Sequence, residues 1–185
     1  MKNLILASAS PRRKQLLKEA GFDFTVEVSE KEGEYDGSSP EKFAVRCAIN
    51  KAEDIFLNKS EDKVVLAADT VVSLNGKIFE KPNSDTEARQ MLLSLSGKTH
   101  EVITGYAILS KGMRETGRVI TKVTFNTLDN QLIDAYIESK LWQGKAGAYG
   151  IQDGFNLVKE CDGYYDNVVG LPIEYLSDTL KEFLK

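Results

Sequence analysis

Val64-Val65-Leu66-Ala67-Ala68-Asp69-Thr70-Val71-Val72-Ser73-Leu74-Asn75-Gly76-Lys77-Ile78-Phe79 decides the fold class. Residues 64–68 form a short apolar run that reads as a buried strand, broken by Asp69. Residues 70–74 and 77–79 flank Asn75-Gly76, a strong hairpin signal because both residues accept positive φ.

Upstream, residues 4–7 read as a short apolar strand. Ser10-Pro11 opens a helix, with Ser as N-cap and Pro at the first helical position. Leu16, Leu17 and Ala20 give that helix its apolar face, and Gly21 ends it. Residues 22–28 alternate like a strand, and 29–39 are a polar loop. Ser39-Pro40 starts a second helix with Phe43, Ala44, Cys47, Ala48, Ala52 and Ile55 on one stripe. Downstream, Ser84-Asp85-Thr86-Glu87 fits a capping box before a helix that ends near Gly97. Residues 99–109 and 119–128 predict an antiparallel pair, and 129–139 a helix. A glycine-rich stretch at 144–150 and an amphipathic helix at 172–184 follow. Helices interleaved with hairpins and isolated strands predict an α/β fold: one domain over 1–185, with a mixed parallel/antiparallel sheet flanked by helices.

Composition narrows the function. The chain has 185 residues, 42% hydrophobic and 28% charged, as globular proteins do. Its net charge of −4 argues against bulk binding to a nucleic acid polymer or an anionic membrane, though not against a local basic pocket. Two cysteines and one histidine cannot build the usual zinc site, so any metal here is a hard cation on carboxylate oxygens. Neither a membrane span nor a signal peptide is evident, and a soluble cytoplasmic protein is expected.

Six places carry candidate chemistry. In Ser8-Ala9-Ser10-Pro11-Arg12-Arg13 a strand feeds a helix N-terminus, where free N–H groups and the dipole favour an anion. Arg12, Arg13 and Lys14 are unfavourable there unless an anion binds; a solvated first turn is the plainer account. Asp69 interrupts an apolar run, so it needs a partner, a metal or a raised pKa; an Asp bonding the turn between two strands is the alternative. Lys51 puts an amine on the apolar stripe of the second helix, where snorkelling is the default for a lone lysine. Lys81, before Pro82, is either aimed into a cleft or exposed. Glu30, Glu32 and Glu34 make an acidic loop that is either solvated or, through Glu30, joins Asp69 around Mg²⁺. Gln152 offers the donor and acceptor that suit a base edge. His100, in an alternating strand, reads as structural.

The ordered set resembles the Maf family of nucleoside triphosphate pyrophosphatases. It comprises Ser8 to Arg13, Lys51-Ala52, Ala67-Ala68-Asp69-Thr70-Val71-Val72, Lys81-Pro82, Gly97-Lys98-Thr99-His100-Glu101-Val102-Ile103-Thr104-Gly105, Gly147-Ala148-Tyr149-Gly150-Ile151-Gln152 and Asn167 to Pro172. The resemblance implies cleavage of a nucleoside triphosphate to monophosphate and pyrophosphate, a divalent metal (Mg²⁺ by expectation), a cleft and a homodimer. By position it implies Asp69 as proton acceptor, Ser8, Arg12, Arg13, Lys51 and Lys81 at the phosphates, and Glu30 with Asp69 at the metal. Arg12, Thr70 and Gln152 match the subgroup that prefers dTTP and UTP. Ser29 departs from the resemblance, since many members have an acidic residue there. The alternative is a nucleotide-responsive regulator of cell division acting through a protein partner. A sugar-phosphate phosphohydrolase ranks below both.

Overall fold

The computed structural model describes residues 2–31, 33–57 and 63–185, so Glu32 of the acidic loop lies outside the described residues. The chain runs β1 (Asn3–Leu6), α1 (Pro11–Glu19), β2 (Phe24–Val26), α2 (Pro40–Phe56), β3 (Lys63–Leu74), β4 (Lys77–Phe79), α3 (Asp85–Leu95), β5 (Thr99–Ser110), β6 (Met113–Phe125), α4 (Asn130–Glu138), β7 (Val158–Asp162), α5 (Tyr165–Val169) and α6 (Ile173–Phe183). A 3-10 turn at Ala146–Ala148 lies between α4 and β7. The strands form one mixed sheet in the order β2-β1-β3-β5-β6-β7 with β4 also on β3; β1 is parallel to β2 and β3, and the remaining pairings are antiparallel. No helix among the described residues is long and apolar enough to cross a membrane.

The expected break at Asp69 does not occur. β3 is continuous, and its ladder with β5 runs from Val65↔Leu109 through Asp69↔Gly105 to Ser73↔Glu101. A complete ladder leaves the Asp69 backbone no reason to turn, and its side chain finds a partner across the sheet face. The other edge of β3 is divided. Its first residues pair with β1, Asn3↔Lys63 to Leu6↔Leu66, and its last with β4, Val72↔Phe79 to Leu74↔Lys77. Between Leu66 and Val72 that edge has no strand partner among the described residues.

Strand alternation sends neighbouring β3 residues to opposite faces. Val65, Ala67 and Val71 pack under α2. On the other face Val64, Leu66 and Ala68 join Leu4, Leu17, Tyr106 and α6, whereas Val72 joins α3, α4 and Trp142. A diagonal seam of threonines separates these two apolar clusters: Thr70, Thr104 and Thr121. The Asn167 side-chain amide, fully buried on α5, plugs it by donating to Thr121 Oγ1 (3.0 Å) and Val102 O (3.1 Å). Thr104 Oγ1 donates to Asn167 O at 3.1 Å.

Other expectations shift at their edges. β2 is shorter than 22–28 because the Phe22 amide is spent on the end of α1, donating to Leu17 O at 3.2 Å. β6 begins six residues before 119, where Gly117 leaves room for the Tyr106 ring to lie over the strand. β7 and the short α5 add to the expected elements. At α3, Ser84 Oγ accepts the Glu87 amide (3.1 Å), but Glu87 reaches back to Asn83 N (2.8 Å) instead of the cap itself.

His100 is structural, as expected. It is buried, faces the Tyr149 hydroxyl at 2.8 Å through Nε2, and meets Phe125 edge-on. Burial depresses its pKa from 6.5 to about 4. The folded state therefore keeps His100 neutral where the unfolded chain takes up a proton. Its contribution is intact above pH 6.5 and is lost progressively as pH falls toward 4. The loss reaches about 3 kcal/mol. Urea midpoints measured between pH 7 and 4 should fall along this curve, and His100→Gln should flatten it.

Candidate active site

The unpaired stretch of β3 opens a cleft of about 440 Å³, a volume suited to a small-molecule ligand. It lies beyond the carboxyl end of β1, where parallel strands present ligand sites. Among the described residues lining it, Arg12, Arg13, Lys51, Lys81 and Lys145 are basic and Asp69 alone is acidic. An acidic chain thus carries a locally basic cleft.

α1 supplies the first wall. Ser10 caps the helix by accepting the Arg13 amide at 3.4 Å, and Pro11 fixes its first residue. No acidic residue answers the dipole in this first turn, which leaves it for an anion. Arg13 is anchored at three points: Nε donates to Gly170 O (2.7 Å), Nη1 to Ser8 Oγ (3.2 Å) and Nη2 to Thr70 Oγ1 (3.1 Å). Burial pushes its pKa below the usual guanidinium value, and the Asp69 charge opposes that shift. Thr70 also bonds Thr104 Oγ1 at 2.9 Å, so its hydroxyl serves the protein and fixes Arg13. Arg12 reaches across the cleft mouth toward Gly144 O at 3.5 Å.

The floor is an ion pair. Lys51 does not snorkel. Its side chain is 14% exposed, and Nζ sits 2.5 Å from Asp69 Oδ1. The Asp69 carboxylate is 20% exposed, and Oδ2 has no other protein hydrogen bond among the described residues. α2 can deliver this amine because Ala44, Ala48 and Ala52 let it lie close on the sheet. Gly105, opposite Asp69 in the ladder, completes the approach: a Cβ there would stand 2.3 Å from the Ala44 backbone.

Ser8, Thr70 and Gln152 line the cleft as well, so seven expected residues converge there with Asp69: Ser8, Arg12, Arg13, Lys51, Thr70, Lys81 and Gln152. Glu30 does not join them; it is exposed and outside the lining. Among the described residues no three His, Cys, Asp or Glu side chains cluster as a metal cage. Ser29 is buried at the cleft edge and donates to Asp54 Oδ2 on α2 at 2.8 Å. Sequence reasoning misses Lys145, a cleft-lining amine whose partner, Asp153, sits eight residues on. Its only sequence signal is a charge inside the glycine-rich stretch 144–150.

Cations gathered round one carboxylate, at the divided edge of a mixed sheet, make this α/β cleft electrostatically suited to an anionic ligand. The chain belongs to the Maf-like protein family, whose profile matches residues 3–183. It is 49% identical to a dTTP/UTP pyrophosphatase of Bacillus cereus, over 99% of this chain and 91% of that protein. It is 48% identical to a dTTP/UTP pyrophosphatase of Pyrococcus furiosus, over 94% of this chain and 91% of that one. Among solved structures it shares its fold with a HAM1 protein from Coxiella burnetii. That match has a TM-score of 0.58 at 18% identity and covers 98% of this chain and 100% of the other.

Gly105→Ala should force α2 off β5, because the obstructing atoms are backbone and cannot rotate away. A loss of about 1–3 kcal/mol is expected in urea unfolding. An unchanged midpoint would remove close helix–sheet approach as the reason Lys51 meets Asp69.

Proposed function

We propose that this protein hydrolyses dTTP and UTP to the nucleoside monophosphate and pyrophosphate, with Asp69 as the acceptor of the water proton. The observation that carries the reading is the Lys51–Asp69 pair on the floor of a cleft otherwise lined with cations. The names of the Bacillus cereus and Pyrococcus furiosus relatives support the substrate class.

The chemistry fits the residues. A water oxygen forms a bond to the α phosphorus, and the bond from that phosphorus to the bridging oxygen breaks, releasing pyrophosphate. Asp69 takes the proton through Oδ2 while Lys51 holds Oδ1 and fixes the carboxylate plane. Lys51 is answered by Asp69 and Lys145 by Asp153, which leaves Arg12, Arg13 and Lys81 to neutralise the phosphates. Arg13 arrives with its orientation already fixed by Ser8, Thr70 and Gly170, so binding does not have to order it. The first turn of α1 offers the Arg12 backbone N–H to the same anion, since the Ser10 amide donates to Ser8 Oγ and the Arg13 amide to Ser10 Oγ. Gln152, exposed on the opposite wall, is free to read the base edge, and Thr70 bears on specificity through Arg13.

The proposal includes a divalent cation, Mg²⁺ by its chemistry. One lining carboxylate is too little for a protein cage, but it suits a cation that arrives on substrate phosphates and keeps most of its other ligands as phosphate and water. Asp69 would be its protein ligand, and the cation would supply charge neutralisation at the reacting phosphoryl oxygens. Glu30, outside the lining, has no role in this arrangement. A cytoplasmic location, where the free nucleotide pool lies, is part of the same proposal.

The test is a panel of dTTP, UTP, CTP, GTP, ATP and 7-methyl-GTP with Mg²⁺, with pyrophosphate and orthophosphate assayed separately. Pyrophosphate from dTTP and UTP is the expected product; orthophosphate, or no product, would sink the reading. Asp69→Asn should fold and bind nucleotide while turnover falls about a hundredfold to ten-thousandfold. Gln152→Glu should shift base preference with phosphate affinity unchanged; preference that stays put would remove Gln152 as the reader.

A further inference from the structure

Behind the wall that carries Gln152 lies a buried ionic network that the proposed chemistry does not use. Lys145 Nζ contacts both carboxylate oxygens of Asp153, with side chains 10% and 6% exposed. The fully buried Tyr136 hydroxyl on α4 donates to Asp153 Oδ2 at 2.6 Å and accepts the Gly150 amide at 3.1 Å. The ion pair sits in the space that a side chain at Gly150 would fill. A Cβ there would lie 2.6 Å from Asp153 Oδ2 and 2.7 Å from Lys145 Nζ. Asp153 also closes its own turn, its amide donating to Gly150 O at 3.2 Å. Residues 145, 150 and 153 are thereby fixed to one another and to α4, and Gln152 is held between two of them.

Upstream of the network, Ala148 and Tyr149 pack in the core and the Gly147 amide donates to Glu80 O at 3.2 Å. The 3-10 turn there places both Gly147 and Ala148 at positive φ, 68° and 63°. A left-handed alanine persists only where its surroundings over-determine the backbone. Gly144, Lys145, Gly150 and Gln152 line the cleft, whereas Asp153 does not. The Asp153 carboxylate thus sits behind the lining, bonded to Lys145, which forms part of it.

We infer that Asp153 is a positioning residue for base selection, acting through Lys145 and Tyr136 on the wall that presents Gln152. The inference rests on the pyrimidine triphosphate reading above. A base-reading amide discriminates only while its donor and acceptor stay aligned, and misplacement by about 1 Å costs up to about a hundredfold. Of the residues proposed at the phosphates, Arg12 and Arg13 stand on α1 and Lys81 follows β4, and none of them bonds Lys145, Asp153 or Tyr136, so base choice and phosphate affinity should separate.

The experiment measures kcat/KM for dTTP and CTP in wild type, Asp153→Asn and Tyr136→Phe, together with inhibition by inorganic tripolyphosphate, which has no base. The dTTP/CTP ratio should fall about tenfold or more in Asp153→Asn, with a smaller fall in Tyr136→Phe and tripolyphosphate inhibition unchanged. If the folded variants keep the wild-type ratio, the network only stabilises the fold and the inference is overturned. A parallel fall in ratio and tripolyphosphate affinity also overturns it, since that marks a cleft loosened throughout. Should Asp153→Asn fail to fold, Tyr136→Phe decides by the same two readouts. Wild type without dTTP turnover would overturn the functional reading together with this one, which is a different result from a wild type that discriminates and variants that do as well.

Discussion

β3 changes partners along one edge, and the rest of the molecule is arranged round that change. A strand paired on both sides over its whole length would bury Asp69 and Thr70 in closed sheet. Here the edge belongs to β1 up to Leu66 and to β4 from Val72, and the residues between face a cleft. The uninterrupted ladder with β5 on the opposite edge keeps those residues rigid while their side chains remain accessible. Alternation then divides the labour. Asp69 turns toward α2 and finds Lys51, while Thr70 turns toward α1 and α5 and finds Arg13 and Gly170. One register therefore aims two neighbouring side chains at two different walls of the same site.

Charge follows the same plan. Partly buried ionic groups are costly unless each is answered, and breaking such a pair costs more than never having made it. Lys51 has Asp69, Lys145 has Asp153, and Arg13 is held by three oxygen acceptors. What remains unanswered is an excess of positive charge at the mouth and the N-terminal end of α1. The cleft mouth therefore carries an electrostatic deficit that a polyanion would answer.

The sequence disclosed the site better than it disclosed the sheet. Ser10-Pro11, Asn75-Gly76 and the small-residue stripe of α2 state their structures locally, through cap, turn and helical period. Asp69 misled the strand reading, because its neighbours showed an interruption and not the ladder or the lysine that satisfy it. Lys51 misled in the opposite direction: snorkelling is the usual state of a lone amine on an apolar stripe, and its partner lies in another element. Asp153 and Tyr136 could not be read at all. Their meaning comes from contacts between distant segments, and a single carboxylate in a loop carries no period. Glu30 illustrates the reverse, a residue placed near a strand end by sequence that the folded loop leaves outside the cleft.

The pairing of β1 with β3 carries a consequence for how the molecule assembles. β5 and β6 are joined by a tight turn and pair along their whole length, and β4 folds back on β3 just as locally. Contacts between near neighbours form early, because they close short loops. The parallel pairing of Asn3 with Lys63 must instead gather a long intervening stretch that includes both α1 and α2. The antiparallel half can therefore exist as a scaffold before the parallel half docks, and the cleft has no second wall until it does. Completing the cleft thus depends on the β1–β3 pairing, which spans more of the chain than any other pairing in the sheet.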